Sequence, residues 1–156
     1  LLPEAAWPTQ MTATEGKNLE LEFYKGELIG VDGEKFSHPS EAIQKVQSIT
    51  GVFAIGRDIH VGDTIIGIKG RVGFEAAGPM VILKAHHALE KNVLTKWQLN
   101  WKDQLALFYG NWLHEGQILD PVMRDIEAFL TSSQENVSGK VFVELMPYRF
   151  QVIYCA

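Results

Sequence analysis

Apolar and acidic residues alternate along Leu19-Glu20-Leu21-Glu22-Phe23, and on a strand this spacing puts the three apolar side chains on one face. Gly26 breaks the run, Glu27 to Val31 forms a second one, and Asp32-Gly33 is a tight-turn signal before Phe36. Pro39 stands at a first helical position, followed at helical spacing by Ala42, Ile43, Val46 and Ile49, with Gly51 as the stop. From Val52 to Gly78 the period is lost in a stretch of glycine, β-branched and charged residues, with Ile65, Ile66 and Ile68 at its centre. Pro79 opens a helix whose stripe runs Ile82, His86, Leu89 and Val93. Thr95-Lys96-Trp97-Gln98 matches a capping box, and the helix it starts carries Trp97, Trp101, Leu105, Phe108 and Trp112 on one face. Asp120-Pro121 caps a further helix that buries Val122, Ile126, Phe129 and Leu130 and ends near Ser133. Lys140 to Leu145 and Phe150 to Tyr154 read as two strands joined through Met146-Pro147-Tyr148.

The order is strands, helix, strands, three helices, strands. It predicts an α+β fold, a mixed or antiparallel sheet with about four helices packed on it, and core positions for the helical stripes. Residues 1–17, with Pro3, Pro8 and no periodicity, read as a linker before a domain spanning 18–156. Leu1 in place of Met, and an apolar finish from Phe150 to Ala156, lead us to expect that both ends are cuts through a longer protein.

The 156 residues suit one domain, and 46% apolar against 21% charged residues is a globular composition. A net charge of −5 with dispersed Lys and Arg argues against nucleic acid, which rewards a basic patch. No apolar run approaches the roughly 20 residues that span a bilayer, so no membrane partner is expected. Cys155 is the one cysteine, so no internal disulfide forms and a reducing cytoplasm is the expected setting.

Candidate chemistry concentrates in the unpatterned stretch. Lys69 and Arg71 are two apart, which on a strand places both cations on one face, and Asp58 and His60 are related in the same way. Either these charges face a polar ligand, or they are solvated side chains of an edge strand. Asp58, His60 and Asp63 stop at three metal ligands of doubtful geometry. His86, on its apolar stripe, reads as a hydrogen-bonded core histidine, and His114 as a helix-end cap. No serine or cysteine nucleophile setting occurs, and no phosphate-binding loop is present for ATP.

Gly56-Arg57, Val61, Gly67-Ile68-Lys69, Arg71 and Glu75 come in an order that resembles the argininosuccinate synthase family. The likeness continues through Ala85-His86, Leu89-Glu90, Trp112 and Gln134-x-x-Val137-x-Gly139-x-Val141, covering about Leu19 to Phe150. It implies the C-terminal, substrate-closing and multimerising domain, truncated at its own C-terminus and inactive alone. The parent would be an ATP-dependent ligase of arginine biosynthesis that joins citrulline and aspartate. ATP and magnesium would sit on an N-terminal domain with a Ser-Gly-Gly-x-Asp loop, and the subunits would form a cytoplasmic homotetramer. A non-catalytic oligomerisation module and an amino-acid-sensing domain are the alternatives.

The resemblance also implies two citrulline contacts, a Glu and a Tyr, at positions held here by Gly62 and Phe74. Glu75 keeps the pattern, Gly70 stands where Ser is usual, and Asp63 and Thr64 replace Asn and Arg. The substrate-binding set implied is therefore Phe74, Glu75, His60, Asp63, Arg71 and Lys69, with His60 or Asp63 taking over the lost polar contacts.

Overall fold

A computed structural model describes residues 2–64 and 66–156; expectations that fall on Leu1 and Ile65 lie outside them. The alternating run becomes β1 (Lys17–Tyr24), the middle strand of a five-stranded sheet. Its companions are β2 (Glu27–Val31), β3 (Glu34–Lys35), β6 (Gly139–Met146) and β7 (Arg149–Cys155), in the order β3-β2-β1-β6-β7. Every pair of neighbours is antiparallel. Leu19 lies opposite Val143 and Leu21 opposite Val141, so both strands present their apolar sets to one side. Leu19, Leu21, Phe23, Val141, Val143 and Leu145 are all buried there.

The turns follow from their residues. Lys25 and Gly26, then Asp32 and Gly33, both take positive φ, the twist that suits a two-residue hairpin loop. Pro147 and Tyr148 join β6 to β7, with Tyr148 at φ 65° and its N–H donating to the Phe53 carbonyl at 2.7 Å.

α1 (Pro39–Gly51) and α2 (Ala77–Val93) cover the apolar face of the sheet. α2 packs through Ala77, Gly78, Val81, Ala85 and Leu89, so that of the predicted stripe only Leu89 is buried. The rest of the stripe is turned aside because α2 approaches its neighbours closely where side chains are small. A Cβ at Gly78 would already lie 3.0 Å from the Gln47 backbone of α1. Ile82 and His86 sit at the edge of this contact, and Val93 is exposed.

α3 (Lys96–His114) and α4 (Pro121–Ser133) pack chiefly against each other. The expected caps are present, with Gln98 N–H donating to Thr95 Oγ1 at 3.3 Å and Val122 N–H to Asp120 Oδ1 at 3.0 Å. α4 buries Met123 and Ile126, while Val122, Phe129 and Leu130 are only half-buried. The aromatic stripe of α3 is not core. α3 buries no residue, and Trp97, Trp101 and Phe108 are 67%, 56% and 58% exposed. One neighbouring helix covers only a flank of so broad an apolar face. No helix among the described residues is long and apolar enough to cross a membrane.

α3 is fastened to α2 by polar groups instead. Glu90 is fully buried and accepts from Lys102 Nζ at 2.5 Å and from Gln134 Nε2 at 2.8 Å. Burial pushes the Glu90 carboxyl up, but the bond from Lys102, with His86 and Gln134, outweighs it and holds the group below its ordinary value. His86 is hydrogen-bonded as expected but half-buried at the edge of the core, with Nε2 2.9 Å from Gln134 Oε1 and its ring against Phe23. Burial lowers its pKa from the ordinary 6.5, against the attraction of Glu90.

A histidine held below its unfolded pKa binds a proton more readily when the chain unfolds. Its contribution is therefore complete above about pH 6.5 and is lost as the pH falls through the folded value. We expect the denaturant midpoint to drop between about pH 7.5 and about pH 5.5, and His86→Gln to flatten that drop. An unchanged slope in the variant would place the pH sensitivity elsewhere.

Candidate functional site

The unpatterned stretch folds into one antiparallel hairpin, β4 (Arg57–Asp63) and β5 (Lys69–Glu75), the second sheet of the molecule. It stands away from the body: no helix or other strand makes more than incidental contact with it. Gly56, at φ 73°, makes the turn into its root, where a Cβ would lie 2.7 Å from the Ala76 backbone.

The register decides which residues meet. Arg57 pairs with Glu75, Ile59 with Gly73, Val61 with Arg71 and Asp63 with Lys69, and these eight positions share one face. Asp58 with Phe74, His60 with Val72 and Gly62 with Gly70 form the other. The hairpin thus divides the substrate-binding set. Glu75, Arg71, Lys69 and Asp63 lie on the first face, and His60 and Phe74 on the second, beside Gly62.

On the first face two cross-strand charge pairs form, Asp63 with Lys69 and Arg57 with Glu75. Asp63 Oδ1 meets Lys69 Nζ at 2.5 Å near the exposed tip. At the root, Arg57 Nε donates to Glu75 Oε2 at 2.8 Å, with their side chains only 10% and 2% exposed. Arg57 was not among the candidates, although the Gly-Arg doublet was a visible signal. Its guanidinium also donates to Glu4 at 2.8 and 2.9 Å and to the Thr9 carbonyl at 2.5 Å, with the Trp7 ring 5.1 Å away. Burial works against the Arg57 charge, yet its bonds to Glu4 and Glu75 raise its pKa further.

The second face is bare by comparison. The His60 ring lies back over Gly62, with Nε2 2.7 Å from where a Cβ of residue 62 would stand. Imidazole and a side chain at position 62 therefore compete for one volume. Phe74 is 41% exposed and completes the face with Asp58, whose Oδ1 accepts from Ile59 N–H at 2.7 Å. Asp58 and His60 share this face while Asp63 points to the other, so those three cannot converge on a metal. Among the described residues no group of three His, Cys, Asp or Glu side chains is arranged to hold a metal ion.

The sequence profile described as "Arginosuccinate synthase C-terminal domain" matches residues 4–154. The chain belongs to the argininosuccinate synthase family. It is similar to the argininosuccinate synthase of Xylella fastidiosa, 39% identical over 142 residues, covering 91% of this chain and 34% of that protein. It is also similar to those of Dehalococcoides mccartyi, 38% identical over 97% of this chain and 38% of the relative, and Methanocaldococcus jannaschii, 36% identical over 92% and 37%. The chain spans about a third of the length of the curated relatives it matches. Argininosuccinate synthases are ligases, and the match places this chain in their C-terminal part.

Gly62→Ala tests the local geometry. The added methyl group should push the imidazole off the strand and shift its NMR ring resonances, leaving those of His86 in place. Unmoved His60 resonances would mean the ring does not rest on Gly62.

Proposed function

We propose that the parent protein is an argininosuccinate synthase and that this domain supplies the side of its site that closes over citrulline. In that reaction the citrulline ureido oxygen attacks the α-phosphorus of ATP, pyrophosphate leaves, and the aspartate amine displaces AMP from the adenylate. The observation that carries the reading is one of register: Gly62 and Phe74, where the family resemblance puts its citrulline contacts, share a single hairpin face with His60 and Asp58.

On that face each residue has a role its chemistry allows. The Phe74 ring offers an apolar wall where a Tyr would add a hydroxyl, so one hydrogen bond is given up. His60 fills the volume vacated at position 62 and presents a ring nitrogen to the ligand. Asp58 is the one carboxylate on the face, and it supplies the negative charge that an α-ammonium requires. Lys69, Arg71, Asp63 and Glu75 lie on the opposite face, where the Asp63–Lys69 and Arg57–Glu75 pairs brace the hairpin.

The described residues do not fit ATP or its magnesium. The glycine-bearing start of α2, the helix that follows the glycine-rich stretch, is occupied: Gly78 N–H donates to Gln47 Oε1 at 2.9 Å. We assign both groups to the preceding domain, with residues 1–17 as the connection and 18–156 as the C-terminal domain. The reaction belongs to the cytoplasm, the subunits to a homotetramer, and the isolated fragment is expected to be inactive.

The exposed aromatic stripe of α3 supports the assembly role, because apolar patches of this kind mark surfaces that another chain covers. In the parent, Trp101→Glu should lower the oligomer size seen by analytical ultracentrifugation without changing the circular dichroism; an intact oligomer would remove α3 from the interface. At the site, His60→Ala should raise the citrulline Michaelis constant about tenfold, the value of one hydrogen bond to a charged group. Asp63→Ala, on the far face beside Lys69, should leave it unchanged. The reverse pattern would sink the assignment of faces.

A further inference from the structure

The hairpin is a cantilever. Ile59, Val61, Val72 and Phe74 are all more than a third exposed, and no helix or other strand packs along its length. What fixes its angle must lie at the root, and the root is held by one arginine. Arg57 joins Glu75 of the hairpin to Glu4 and Thr9 of the segment leading into the domain, with Trp7 laid over the guanidinium.

The segment does more than touch Arg57. The Thr9 hydroxyl reaches both Glu75 Oε1 and the Gly51 carbonyl at the end of α1. Leu2 rests on Gly73 so closely that a Cβ there could not coexist with it. Residues 2–9 therefore form a strap across the first face, tied to the hairpin on one side and to α1 on the other. Every strap bond to a charged hairpin group runs through Arg57 or its partner Glu75.

We propose that Arg57 is a positioning residue that clamps the hairpin to this strap, so that the second face takes its attitude from the chain entering the domain. His60 lies three residues beyond Arg57, about 10 Å along the strand. A rocking of about five degrees at the root moves it by about 1 Å, a displacement that can cost on the order of 100-fold in rate when a site must hold its substrate. Only the identity of the ligand rests on the reading above; the clamp does not.

The test uses the full-length parent protein with Arg57→Ala and Arg57→Lys. Hydrogen exchange across 57–75 should quicken at least tenfold in Arg57→Ala, while α2 and β6 keep their protection. The citrulline Michaelis constant should rise in the same variant by more than kcat falls, and Arg57→Lys, which keeps the charge but not the fork, should recover part of both. Faster exchange at the hairpin with an unchanged Michaelis constant would support the clamp and refute citrulline as the ligand of this face. Unchanged hairpin exchange, or exchange that quickens equally in β1 and β6, would overturn the clamp.

Discussion

The buried carboxylate of Glu90 is the constraint on which the arrangement of helices depends. A charge removed from water must be matched, and here the match is supplied from two other elements: Lys102 of α3 and Gln134 at the end of α4. The same glutamine presses on the β1–β2 turn, where a Cβ at Gly26 would come within 2.6 Å of Gln134 Oε1. One group on α2 thus fixes where α3 begins to leave the body and where α4 returns to the sheet. It also explains why the aromatic stripe is left free. Lys102 is one residue from Trp101, hence about 100° around the helix from it, so fastening α3 by its lysine turns the tryptophans outward.

The hairpin repeats the ion-pair theme at two burials, with different consequences. Asp63–Lys69 and Arg57–Glu75 are the same kind of cross-strand pair on the same face. At the tip the side chains are 76% and 64% exposed, and a pair in that setting is worth about 1 kcal/mol or less. At the root both are withdrawn from water, and removing Arg57 strands the buried Glu75 carboxylate at a cost several times larger. Mechanical control therefore sits at Arg57, while the tip adjusts. A scaffold that holds a site-bearing element at one end only can move that element without repacking its core.

How far the residues alone revealed this follows from what each signal encodes. Alternation in β1, the Thr95–Gln98 and Asp120 caps and the Asp32-Gly33 turn are local, and all appear in the structure. Residue parity was also legible: Asp58 and His60, or Lys69 and Arg71, share a face whatever strand they join. The pairing of β4 with β5 was not, since register is set by the loop between them, and without it Arg57 has no visible partner in Glu75. The α2 stripe was right only at Leu89, because close packing selects Ala77, Ala85 and Gly78, which a reading weighted to large apolar residues passes over. The α3 stripe was read as core and is not, although its period does mark one apolar face. Its period could not say whether the cover lies in the same chain.

Replacing a carboxylate by an imidazole changes what a site can ask of its ligand. An acidic side chain at position 62 would bring its own charge, whereas a neutral imidazole brings a directional acceptor and a protonated one would repel an ammonium. In the proposed site the charge would come from elsewhere on the same face, where Asp58, two residues before His60, is the one carboxylate. Glycine at 62 is the condition for this exchange, because any side chain there would meet the ring. In the proposed site Asp58, His60 and Gly62 act as one unit: charge, acceptor and vacancy succeed one another at alternate positions of a single strand. A carboxylate restored at position 62 alone would displace the imidazole and set two negative groups on one face, so recovery of the family arrangement requires changing His60 with it.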